Sequence, residues 1–99
     1  MMMTDAERAK LMGEHLKQWR IMLGLSQELV AARAGLSIPV VRRLEQGDTG
    51  VKLGSFIAVV DVLGLSERFT QFTDPFETDL GRLRSHHLHR QRAPRRSAS

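Results

Sequence analysis

QELVAARAGLSIPVVRRL, residues Gln27 to Leu44, decides how this chain folds, because five of its positions carry the constraints of two short helices meeting at a tight turn. Gln27, Ala31, Gly35, Val41 and Leu44 follow one another at intervals of four, four, six and three residues. Where two such helices cross closely, the first can carry a side chain no larger than a methyl at the contact, and Ala31 supplies it. Four residues on, Gly35 takes the left-handed backbone conformation without a Cβ penalty and turns the chain. Ser37 offers a hydroxyl as N-cap for the second helix of the pair. Pro39 falls in that helix's first turn, where a missing N–H costs no intrahelical bond. Val41 and Leu44, three apart, face back onto the first.

Upstream of this elbow, either Thr4 or Asp5 caps a helix running to about Leu23, with Leu16, Trp19 and Leu23 at helical spacing and Gly24 as its stop. Ser26 caps the helix Gln27 to Ala34, and Val30 and Ala31 point inward. The next helix, Ile38 to Gln46, ends at Gly47, and Asp48 to Gly50 form a glycine-flanked loop. Leu53, Phe56, Ile57, Val60 and Leu63 then mark the core face of a fourth helix that Gly64 closes.

Beside that face, Ser55, Ala58, Val59 and Val62 form a second stripe, and a helix apolar on more than one side needs burial on more than one side. The pattern predicts a homodimer built on Val59 and Val62, helped by Phe69, Phe72 or Phe76; a local cluster within one monomer is the alternative. Ser66 can cap a short fifth helix carrying Phe69 and Phe72. Asp74, Pro75 and Glu77 have the layout of a cap, a first-turn proline and a capping-box glutamate. The expected chain is all-α with five helices. Residues 1–10 form an extension and the start of the first helix, and residues 11–65 the compact domain. Residues 66–80 form a short helical or turn segment for dimer or partner contacts, and residues 81–99 a basic tail that is flexible when alone.

With 99 residues there is room for one small domain and a tail, so the core is limited and association would help it. The absence of cysteine excludes disulfides, zinc-thiolate sites and thiol nucleophiles, and it fits a reducing cytosol. No apolar run approaches the roughly 20 residues that span a bilayer, so no membrane partner is expected and a cytoplasmic location is. The formal charge of +4 is unevenly spread: residues 1–80 hold nine basic and eleven acidic residues, whereas residues 81–99 hold six arginines and no acid. A body of net −2 does not coat nucleic acid indiscriminately. Any such contact must come from locally placed arginines and helix N-termini, with the +6 tail adding unspecific phosphate attraction.

Enzymatic and cofactor chemistry find little material. His86, His87 and His89 sit close together, but no acidic or thiol ligand lies near them in sequence. No nucleophile triad or glycine-rich phosphate loop is indicated, so neither catalysis nor a bound metal or cofactor is expected.

From about Met12 to Leu65 the sequence resembles the phage-repressor-type (Xre/Cro-like) helix-turn-helix family of bacterial DNA-binding proteins. The matching stretches are Gly13-Glu14-His15-Leu16, Trp19-Arg20, Gly24-Leu25-Ser26-Gln27-Glu28, Ala31 with Gly35-Leu36-Ser37, Arg43-Leu44-Glu45-Gln46-Gly47 and Leu63-Gly64-Leu65. The resemblance implies a lambda-repressor-like domain in which Arg20 and Glu45 form a structural ion pair tying the first helix to the third. It also implies that Gln27 is directed to a DNA phosphate and that the third helix enters the major groove; Ser26, Arg42 and Gln46 are the further phosphate-contact candidates.

By position, Ser37, Ile38, Pro39 and Arg43 are the base-contact candidates. Ile38 and Pro39 depart from the polar residues common there, and their readout can only be apolar, for instance against a thymine methyl. Arg43 suits a guanine O6/N7 contact and Arg42 a phosphate, although the two could exchange roles. Within the family, the layout is similar to HipB-like antitoxins, which repress their own operons as dimers and hold HipA-like kinases inactive. A stand-alone chromosomal or phage-encoded repressor is the other reading. The acidic stretch Glu67 to Asp79 and the basic tail would be natural surfaces for a partner protein.

Overall fold

Thr4 opens the first helix, its hydroxyl accepting the Glu7 N–H at 3.1 Å while its own N–H donates to the Glu7 carboxylate at 2.9 Å. This reciprocal box satisfies two end groups of the helix. It also holds the Glu7 carboxyl below the usual carboxylate range, the Thr4 backbone N–H contributing most and the Thr4 hydroxyl next. The computed structural model describes residues 2–90. It comprises α1 (Asp5–Met22), α2 (Gln27–Ala34), α3 (Ile38–Glu45), α4 (Leu53–Val62), α5 (Ser66–Thr73) and α6 (Asp79–Leu83), with a 3-10 turn at Pro75–Glu77. Residues 86–90 are also helical, and the described residues contain no strand.

The chain forms two compact units, one ending at Ser66 and the other beginning at Glu67. The core of the first is Leu16 of α1, Val30 and Ala31 of α2, Val41 and Leu44 of α3, and Val59 and Leu63 at the end of α4. Trp19, Leu25, Leu36 and Phe56 pack around them, partly buried. Gly35 sits at φ 69° and ψ 33° between α2 and α3, and the N–H of Leu36 returns to the Ala31 carbonyl at 2.9 Å. The elbow is thereby closed by a left-handed residue that costs glycine little.

α1 and α3 approach so closely that one position has room only for hydrogen. A Cβ at Gly13 would stand 2.6 Å from the Glu45 carbonyl oxygen and 2.7 Å from that of Leu44. This contact sets the height at which α1 lies across the last turn of α3.

Four local expectations are corrected here. α4 is rotated relative to the face read from its spacing: Val59 is 2% exposed and belongs to the monomer's core, whereas Leu53 and Ile57 are 65% and 42% exposed. Val59, expected at a dimer contact, therefore presents almost no surface outside this core, and Val62 is half-buried against it. The two stripes compete for one interior, and the β-branched pair Val59–Val60 with Leu63 fills it. Ser37 occupies the N-cap position of α3, but its hydroxyl makes no capping bond. Pro39 removes one of the two N–H groups that such a hydroxyl reaches, and the Val40 N–H is taken by the Ser37 carbonyl at 3.2 Å.

The second unit departs from expectation twice. Asp74 accepts from the Phe76 N–H at 2.9 Å, but the proline opens only a 3-10 turn; the Asp74 N–H goes to the Gln71 carbonyl at 3.1 Å, leaving no box for Glu77. Regular structure also runs past Gly81. Thr78 caps α6 through the Gly81 N–H at 2.9 Å, and Arg82 binds the Phe76 carbonyl and the Asp79 carboxylate. Helix and turn therefore run to residue 90, inside the segment expected to be a flexible tail, and residues 91–99 of that segment lie outside the described residues.

Candidate nucleic-acid interface

α3 divides cleanly into two faces. Val41 and Leu44 are buried against α1, α2 and α4, with Val40 and Ile38 half-buried beside them. On the opposite side Pro39, Arg42, Arg43 and Gln46 are all exposed, and Ser37 precedes them at the helix start, exposed as well. Two guanidinium groups and a glutamine amide on one solvent-facing strip are suited to the donor and acceptor edges of nucleic acid. Of the four base-contact candidates, Ser37, Pro39 and Arg43 are free to meet a ligand, while Ile38 spends part of its surface on the core.

Behind that strip runs a chain of side-chain bonds linking three helices. Arg20 Nε donates to Glu45 Oε2 at 2.6 Å and Arg20 Nη2 to Glu45 Oε1 at 3.2 Å, while Nη1 donates to the Leu25 carbonyl at 2.9 Å. Both side chains are largely withdrawn from water, 11% and 7% exposed. The fork-to-fork geometry therefore carries much of the docking of α1 on α3. Gln27 extends the chain outward. Its Nε2 donates to Glu45 Oε1 at 3.0 Å, and its Oε1 accepts from Arg42 Nε at 3.2 Å.

Both ends of the Gln27 amide are consequently occupied, one by a carboxylate and the other by a guanidinium. The second N–H of Nε2 is engaged in neither bond and remains for an outside acceptor. α2 also offers at this point its first-turn N–H groups, which face out of any helix N-terminus. Ser26 lies there too; its oxygen accepts from the Leu29 N–H at 3.0 Å, which leaves the hydroxyl proton able to donate. Gln46 forms the C-cap of α3, exposed at the far end of the strip.

Between the starts of α2 and α3 and the flank of α1 lies an open notch of about 340 Å³. Lys17 and Arg20 of α1, Ser26, Gln27 and Glu28 at the head of α2, and Ile38 and Arg42 of α3 line it. Sequence reasoning placed Ser26, Gln27 and Arg42 here and missed Lys17. A signal existed, because Lys17 precedes Arg20 by three residues and so shares its face of α1.

Among the described residues no group of three His, Asp or Glu side chains is placed to hold a metal ion. His86 and His87 bring their rings to a centroid separation of 4.2 Å without an acidic ligand joining them. Among the described residues no helix is long and apolar enough to cross a membrane.

A family model described as a helix-turn-helix domain matches residues 11–69. The match covers more than half of the chain, from within α1, through the Gly35 elbow and α3, into α5. An all-helical domain with this elbow, and a second elbow helix whose outer strip is polar and basic, agrees with that match, and the chain belongs to the helix-turn-helix domain family of DNA-binding proteins.

Proposed function

We propose that this protein is a sequence-specific transcriptional repressor that binds its operator as a homodimer, with α3 of each protomer in the major groove. The observation that carries the reading is the exposed strip Pro39, Arg42, Arg43 and Gln46 on a helix whose other face is locked into the core. A rigidly seated helix with arginines outward is what direct readout of base edges requires. Ser37, Pro39 and Arg43 read bases, Ile38 offers its remaining apolar surface to a thymine methyl, and Ser26, Arg42 and Gln46 hold phosphates. The body of the protein is net acidic, so binding depends on this local placement.

Two protomers would read half-sites about 34 Å apart, one turn of B-DNA. With Val59 consumed by the core, the dimer rests on the segment after Leu65, where Phe69 and Phe72 stack edge to face at 5.4 Å and Phe72 is 72% exposed. Footprinting on the DNA upstream of the protein's own gene tests this directly. Two protected half-sites, one helical turn apart and related by a dyad, are the expected pattern; uniform protection without a boundary would overturn it.

A second reading, that the repressor is also the antitoxin of a HipA-like kinase, is favoured by one feature. None of residues 67–90 is buried, and Phe72, Phe76, Leu80 and Leu83 stay exposed, which is more apolar surface than a short segment leaves to water without a partner. Co-purification with the product of an adjacent kinase-like gene would support this role. An isolated gene would leave the stand-alone repressor.

A further inference from the structure

α4 carries a surface that neither the core nor the strip on α3 uses. Leu53, Gly54, Ile57 and Asp61 are exposed, and with the half-buried Ala58 they recur at the spacing of one helix face. Leu53 and Ile57, expected in the core, leave 65% and 42% of their surface to water. An added Cβ at Gly54 meets nothing within 4 Å, so no contact within the protomer requires glycine where alanine makes the better helix.

The ends of this helix are charged in the sense opposite to its dipole. Lys52 is the N-cap and makes no capping bond, Asp61 lies in the last turn, and the first turn has no acid and the last no base. α1 and α2 follow the ordinary order, with Asp5, Glu7 and Glu28 in their first turns and Arg20 and Arg33 in their last. Lys52 and Asp61 are both exposed and enter no ion pair among the described residues, while one oxygen of Asp61 accepts the Ser66 hydroxyl at 2.9 Å.

We infer that this face of α4 packs antiparallel against the same face of a second copy of the chain, about a two-fold axis at Ile57. Lys52 lies five residues before Ile57 and Asp61 four after it, so the antiparallel crossing brings Lys52 of each copy to Asp61 of the other. A parallel crossing would set lysine against lysine and aspartate against aspartate. The charge order is thus self-complementary, as a contact between identical surfaces requires. Each uncapped N-terminus also gains a carboxylate, and the two helix dipoles oppose. Leu53 and Ile57 form the apolar middle, and Gly54 and Ala58 let the backbones approach. One helix face is small for a stable interface, so the contact is transient between free protomers and strengthens when another contact raises their effective concentration. It is additional to the dimer contact proposed through Phe72 and independent of the DNA reading.

The chain has no cysteine, so Ile57→Cys in the full protein places a single reporter at the axis. Under mild oxidation without DNA, it should form a disulfide-linked dimer several-fold faster than Gln18→Cys, an exposed position on α1. In the Ile57→Cys background, Lys52→Asp and Asp61→Lys should each slow linking, and their mixture should link chiefly as the heterodimer. The double variant should regain the original rate, because its charge order is reversed but still complementary. Circular dichroism verifies each fold; Asp61→Asn, which keeps an oxygen for Ser66, should slow linking too and serves if Asp61→Lys does not fold. In a Phe72→Asp background linking should be slower with the same pattern among the charge variants, which separates this contact from the other. Linking at Ile57 no faster than at Gln18, or charge variants that show no recovery in the mixture and the double variant, would overturn the antiparallel contact and leave the DNA reading standing.

Discussion

Gly13 faces the peptide of Glu45 so closely that the Cβ of any other residue there would stand 2.6 Å from the Glu45 carbonyl oxygen. The contact is backbone against side-chain root, so no rotamer change can relieve it. Gly13→Ala should therefore destabilise the protein by about 1–3 kcal/mol despite alanine's better helix propensity. Gly54 of α4, where an added Cβ meets nothing within 4 Å, is the control. Gly54→Ala should leave stability unchanged or raise it by up to about 1 kcal/mol. A Gly13→Ala midpoint that stays level or rises together with that of Gly54→Ala would contradict the close crossing.

Glu45→Ala removes the carboxylate that Arg20 and Gln27 both address. Because the Arg20 side chain is only 11% exposed, its charge is left with little water, and the expected loss is about 3–5 kcal/mol. Replacing both members, Arg20→Met with Glu45→Leu, should recover most of that loss, since the cost lies in the stranded charge. Equal destabilisation by the single and double variants would show that packing, not charge, dominates at this site.

The capping box at the start of α1 gives a pH signature. Glu7 is favoured in its charged form by Thr4, so its folded pKa lies below its unfolded one. The associated stability is present above the ordinary carboxylate range and is lost as pH falls through the lowered folded value. Amide exchange in the first turn should accelerate over that acid window, and Glu7→Gln should abolish the pH dependence, whereas Thr4→Ala, which keeps the backbone N–H, should only weaken it. A first turn equally protected on both sides of the window would contradict the box.

Val59→Asp and Phe72→Asp separate core from interface. Val59 is 2% exposed, so an aspartate there buries an unpaired charge and should unfold the first unit. Phe72 is 72% exposed, and Phe72→Asp should leave helicity intact while shifting sedimentation from dimer to monomer. A dimer that survives Phe72→Asp would move the interface elsewhere.

Much of this arrangement is readable before any coordinates, and the parts that are not have a common cause. Ala31, Gly35, Val41 and Leu44 each impose a local constraint with a single geometric solution, so the elbow follows from spacing alone. α4 has apolar residues around most of its circumference; spacing could not say whether Ile57 or Val59 faces inward, and packing chose Val59. Gln27 shows the limit for function. Its position at the head of α2 marks it for a ligand, yet its partners Glu45 and Arg42 lie 18 and 15 residues away and are set by the tertiary fold. Gly13 left a trace, since a glycine inside a long helix has a price that only close packing offsets.

The central claim is that the outer strip of α3 reads base edges, with Arg43 as its chief donor. The decisive measurement is the affinity of wild type and Arg43→Ala for the protein's own upstream duplex and for a scrambled one, across a salt series. The account predicts strong discrimination by wild type and a loss of about 1–3 kcal/mol of it, confined to one base pair per half-site, in Arg43→Ala. Equal affinity of both proteins for both duplexes would contradict it.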